Sequence, residues 1–155
     1  MEKVGLHTIA MNLVRVVAAS ILLTAGVAYA AASTQVLGIK LQDPSTDSSI
    51  EHMRIVLDQA KVKSGRVTLH AENQSKNLVH EVVIAHDDGA DELPLDANHD
   101  LVIETRVRSV GEIANLMPGG AGNLTLTLQP GAYILFCNLP GHYLDGMIAK
   151  FTVVP

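Results

Sequence analysis

The sequence has no tryptophan, and among its 155 residues only three tyrosines and two phenylalanines. With so few aromatic side chains, a core must be built from Val, Leu and Ile. Basic residues are also short: 11 Lys and Arg stand against 16 Asp and Glu, a net charge of −5. That balance argues against nucleic acid or an anionic membrane surface as a partner. The apolar run Val16–Val27 falls short of the roughly 20 residues a membrane span needs. No C-x-x-C-H occurs, so an attached c-type haem is excluded. Cysteine is nearly absent, with Cys137 the single one.

What is present begins with a leader. Lys3 and Arg15 precede the apolar run, and Ala28-Tyr29-Ala30 supplies the small-x-small pattern that signal peptidase reads. Residues 1–30 are expected to be a removed signal peptide, cut near Ala30 or Ala32, with Met11 as an alternative initiator. The product is then exported, to the periplasm or beyond, and is not embedded in a membrane. Residues 31–155 are expected to form one domain, with a polar lead-in to about residue 50; a chain of this size can bury a core without staples.

Short segments with strand patterning follow. They are Met53–Leu57, Arg66–Ala71, Val79–Ala85, Leu101–Val107, Leu124–Leu128, Ala132–Cys137 and Ile148–Val154. Turn signals such as Ser64-Gly65, Pro118-Gly119-Gly120 and Pro140-Gly141 separate them. About seven to eight short strands at this spacing predict an all-β Greek-key sandwich or barrel. Ile50–Lys61 is ambiguous, because Ile50, Met53 and Leu57 also fall at helical spacing.

The lone cysteine narrows the chemistry. An exported protein usually pairs its cysteines, so Cys137 needs an intermolecular bridge, a free thiol or a metal as its explanation. Cys137, His142 and Met147 lie five residues apart, around the tight Pro140-Gly141 turn. One loop can therefore present a thiolate, an imidazole and a thioether to a common point. His80, at the start of an apolar strand, is the best candidate for a fourth ligand. Two His, one Cys and a weak axial Met describe a mononuclear blue-copper centre. Zinc more usually draws further Cys or carboxylates, and a dinuclear copper site would need a second thiolate.

The segment Pro130–Met147 resembles the C-terminal ligand loop of the cupredoxins, the type 1 blue copper proteins of the rusticyanin/plastocyanin-like family, and its Cys-x4-His-x4-Met spacing is similar to that of rusticyanin-like members. The resemblance runs from about Met53 to Pro155, and His80 in Asn77–Ile84 matches the family's upstream His. It implies the cupredoxin fold, one Cu(I)/Cu(II) ion, one-electron transfer rather than enzymatic catalysis, and a monomer. It implies a redox partner such as a cytochrome c or a reductase. That partner would dock near His142 on an apolar patch of Leu139, Pro140, Tyr143 and Leu144, with Met117 and Pro118 at the same end. One departure stands out. Many members have Asn or Ser after the upstream His; this chain has Glu81, which could accept backbone hydrogen bonds or point to solvent. The alternative role is periplasmic copper storage, delivery or sensing; a metal-free adhesion sandwich would leave the ligand spacing unexplained. The acidic stretch Asp87–Asp100 reads as a solvated loop able to steer a basic partner. His86 lies six residues along the strand from His80, roughly 20 Å away, and is expected outside the site. His52, His70 and His99 are expected at the surface.

Overall fold

Alternation of apolar and polar residues sets one face of each strand inward, and two sheets result. The computed structural model describes residues 34–98 and 100–155. The expected signal peptide and His99 lie outside them. Nine strands occur among the described residues: β1 Gln35–Gln42, β2 Arg54–Leu57, β3 Lys61–Lys63, β4 Gly65–Asn73, β5 His80–His86, β6 Ser109–Leu116, β7 Ala121–Leu128, β8 Gly131–Phe136 and β9 Ile148–Val154. One sheet has the order β2-β1-β4-β7 and the other β3-β9-β8-β5-β6. β1 with β4 and β3 with β9 pair in parallel; the remaining ladders are antiparallel.

The main core joins the inward faces of both sheets. It includes Leu37, Ile39 and Leu41 of β1, Val67 and Leu69 of β4, Val82 and Ile84 of β5, and Leu135 of β8. Cys137 and Met147 belong to the same cluster. β5 is also buried on its other face, where Val83 and Ala85 pack with Val102, Ile134, Phe136 and Tyr143.

Three expectations change. The lead-in to about residue 50 is not a polar tail, because β1 lies within it and buries three apolar side chains completely or nearly so. Its partner β4 is remote in sequence, so the ladder that makes it a strand is invisible locally. Leu37→Ala is accordingly expected to cost about 2–5 kcal/mol, read as a lowered urea midpoint; a change below about 1 kcal/mol would show that β1 is dispensable. Second, Leu101–Val107 is not a strand. It holds one isolated bridge, Val102 to Leu95, and a 3-10 turn at Glu104–Arg106. The Asn138 side chain replaces a ladder there, accepting from Val102 N at 2.7 Å and donating to Val102 O at 3.1 Å. Third, the strand beside β5 is β6, which the sequence hides: Gly111 and the positive φ of Asn115 interrupt it, and its register with β5 shifts twice. Ile50–Lys61 forms no helix; β-branched Ile55 and Val56 sit in β2.

Candidate metal centre

β5 and the β8–β9 loop bring the predicted ligands together at one end of the sandwich. His80 is the first residue of β5 and is fully buried. The preceding turn fixes it. Asn73 Nδ2 donates to Leu78 O and Leu116 O, and the Ser75 hydroxyl accepts from Asn77 N and Leu78 N. Cys137 follows β8 directly and is also fully buried.

The loop then folds back on itself. His142 N donates to Leu139 O, Asp145 N to Gly141 O, and Met147 N to His142 O. Cys137 N donates to Met147 O at 3.1 Å, so the loop's two ends meet. Gly141 and Gly146 hold φ of 79° and 105°, which side-chain-bearing residues rarely adopt. Asp145 clamps the loop from outside, accepting from Met53 N at 3.0 Å and facing His52 Nδ1 at 3.1 Å.

These constraints converge three donor atoms. His80 Nδ1 lies 3.2 Å from His142 Nδ1, which lies 3.4 Å from Cys137 Sγ. The donors of His80, Cys137 and His142 all fall within 4.8 Å of one another. Bonds of about 2.0 Å to nitrogen and 2.3 Å to sulfur, meeting at angles near 100°, leave such separations between neighbouring donors. Met147 is fully buried in the cluster that holds Cys137.

The surroundings favour uncharged groups. Burial pushes the Cys137 thiol up to about 11, against the pull of the Leu139 and Glu81 amides. A bound metal would therefore have to drive the proton off for Cys137 to bind as thiolate. Burial also lowers the His142 pKa, and burial with the neighbouring His142 lowers that of His80, which favours the neutral imidazole that ligation requires.

Glu81 faces the loop rather than solvent. Its carboxylate accepts from Asn138 N at 3.1 Å, and its own N–H points at Cys137 Sγ at 3.5 Å. The carboxylate thus ties together the two segments that carry His80 and Cys137. Burial raises its pKa, and Glu112 adds to the rise.

The other candidates stay apart. His86 stacks on Tyr133, with ring centroids 4.7 Å apart. His52 is exposed beside Asp145, and His70 contacts Asn123 and Glu72 on the outer face of its sheet. In the acidic loop, Asp87 pairs with Lys150 and Asp88 with Arg108. One correction concerns the apolar patch. Leu144 and Met117 are 56% and 62% exposed, but Tyr143 is buried against Phe136 and its hydroxyl accepts from Leu93 N. It anchors the loop 87–107 and cannot face a partner.

Sequence reading also passed over Asp43, which stands in the turn pattern Asp43-Pro44-Ser45. It is fully buried, with Oδ2 at 3.5 Å from His80 Nε2. The Asp-Pro-Ser signal marks a turn but says nothing of what its carboxylate reaches.

No family model matches the chain. Auracyanin-B of Chloroflexus aurantiacus is 46% identical over 43 residues, 27% of this chain and 18% of that protein, so the match spans under a fifth of the relative. Reduced auracyanin from Roseiflexus castenholzii superposes with a TM-score of 0.54 at 24% identity, over 79% of this chain and 98% of its own. Auracyanin A of Chloroflexus aurantiacus, a "blue" copper protein, gives 0.52 at 19% identity over 78% and 99%. Rusticyanin from Thiobacillus ferrooxidans gives 0.53 at 18% identity over 78% and 79%.

Proposed function

The chain folds as a cupredoxin, and we propose that it is an exported one-electron carrier that holds a single copper ion through His80, Cys137, His142 and Met147. The observation that carries this reading is the convergence of two imidazole Nδ1 atoms and a buried thiol within 4.8 Å. A thiolate and a thioether are soft donors, and with two imidazoles they form the set that suits copper in an electron-transfer site. Bound copper supplies the Cu(II)/Cu(I) couple.

The protein's own part is to hold the donors still and give electrons a way out. The Glu81–Asn138 and Cys137–Met147 hydrogen bonds lock the ligand-bearing segments to one another. Such a frame limits ligand movement between the two oxidation states. His142 is the partly exposed ligand, whereas His80 is fully buried. Its ring edge is the exit, and exposed Leu144 beside it offers a small apolar contact of the kind brief redox encounters use. The acidic stretch 87–100 steers a basic partner such as a cytochrome c. The role is that of a carrier, without catalytic residues. Residues 1–30 fit this as a signal peptide, leaving the domain 31–155 as the exported form.

Buried Cys137 and packed Met147 favour electron transfer over copper delivery, which calls for exposed, exchangeable ligands. Adding Cu(II) to the purified chain is expected to give an intense thiolate-to-copper visible band. The reduced protein is expected to pass electrons to a c-type cytochrome, more slowly at high salt. Absence of the band refutes the copper site. A protein that hands Cu(I) to an acceptor but exchanges no electrons is a delivery protein.

A further inference from the structure

Buried polar atoms are almost always paired, and a charged one without a partner is costly. Two such atoms face each other behind the metal centre. Asp43 Oδ2 and His80 Nε2 are buried, have no hydrogen-bond partner among the described residues, and lie 3.5 Å apart. The other carboxylate oxygen is occupied: Oδ1 accepts from Ser45 N, the Ser45 hydroxyl and Thr46 N. The turn carrying Asp43 is stitched to the turn that leads into His80. Ser45 Oγ accepts from Lys76 N and contacts Ser75 Oγ, while Thr46 Oγ1 donates to Gln74 O. Asp43 is therefore fixed relative to His80, with its free oxygen facing His80 Nε2.

An imidazole carries its proton on one nitrogen when neutral, and the partner of one nitrogen decides the state of the other. A carboxylate oxygen can only accept. Facing it, Nε2 bears the proton and Nδ1 keeps its lone pair. Nδ1 is the atom that lies 3.2 Å from His142 Nδ1, in the donor cluster with Cys137. The arrangement is a carboxylate–histidine pair aimed at a metal position.

We propose that Asp43 is a positioning residue: its Oδ2 accepts the Nε2–H of His80, holds that ring in the tautomer that offers Nδ1, and sets a negative charge behind the ligand that favours Cu(II) over Cu(I). The tautomer half stands on the geometry alone; the charge half rests on the copper reading above.

The test is a long-range ¹⁵N–¹H correlation spectrum of the His80 ring, in the metal-free and Cu(I)-loaded full chain, with the reduction potential measured alongside. Wild-type His80 is expected as the Nε2–H tautomer in both forms. Asp43→Asn keeps an oxygen for the Ser45 and Thr46 amides, so its NH₂ points at His80 Nε2. That variant is expected to shift metal-free His80 toward the Nδ1–H tautomer and to weaken Cu(II) binding by about 10–100-fold. Cu(II) should weaken about tenfold more than Cu(I), a rise of about 59 mV in potential. Glu72→Gln removes a carboxylate beside His70 on the outer face of β4, so tautomer and potential should not move.

An Nδ1–H tautomer in the wild-type metal-free chain overturns the proposal without any variant. So does an unchanged tautomer in Asp43→Asn, or a Glu72→Gln variant that reproduces the Asp43→Asn effects. If the wild type binds no copper yet shows Nε2–H and its shift in Asp43→Asn, the positioning role holds and the copper reading falls.

Discussion

Cys137→Ser is expected to abolish the visible thiolate-to-copper band entirely. The band needs a sulfur that gives electron density to Cu(II), and serine offers a hard hydroxyl that stays protonated. The loss in Cu(II) affinity should exceed the roughly 10–100-fold that removing a mere supporting partner costs. The fold should survive. The sulfur is buried, and a buried hydroxyl costs about 1–3 kcal/mol without a partner, but Glu81 N–H already points at that position and is available to the oxygen. Denaturant unfolding of the metal-free variant separates the two effects. His86→Ala is the matching control: its ring packs on Tyr133, outside the donor cluster, and the band should persist. A Cys137→Ser protein that keeps an intense visible band would refute the assignment of the thiolate.

Gly146→Ala is expected to damage the loop from a position that holds no ligand. Gly146 has φ of +105°, and a Cβ built there would lie 2.7 Å from Met53 O. That contact is with backbone, which cannot swing aside. The dihedral strain and the overlap together predict a loss of about 2–5 kcal/mol. Met147 is the next residue, so the thioether proposed as a copper donor should be displaced and the visible spectrum altered. Gly119→Ala provides the comparison, since φ is +72° there with nothing within 4 Å of the added Cβ. Only the backbone term applies at Gly119, about 1–2 kcal/mol. Equal urea midpoints for the two variants would show that the Met53 contact carries no weight.

Strands that alternate over several residues were legible, because burial on one face imposes period two: β4 buries Val67, Leu69 and Ala71 as the pattern demands. β6 escaped because its bulges break that period. Leu101–Val107 alternates well enough, yet a strand also needs a neighbour, and Asn138 takes the place of one. Tyr143 was misjudged for a related reason. Its neighbours in the loop are exposed, but the chain turns through Gly141 and drives this ring onto Phe136.

The donor set shows the same division. Cys137, His142 and Met147 are bound to proximity by their spacing, since a loop this short and closed by its own hydrogen bonds can only bring them together. Their types, soft sulfur with imidazole, name the metal class without coordinates. His80 enters 57 residues before Cys137, and only the pairing of β5 with β8 sets the two side by side. Glu81 could have pointed to water; the fold turns it to Asn138 N. Asp43 lies farther still, in a turn whose carboxylate reaches His80 because separate strands end at the same edge of the core. Sequence alone thus determined the loop's three candidate donors and the all-β class, both consequences of local spacing and periodicity. Tertiary structure alone decided what stands behind the ligands, because contacts between remote segments are set by sheet register, which no local pattern encodes.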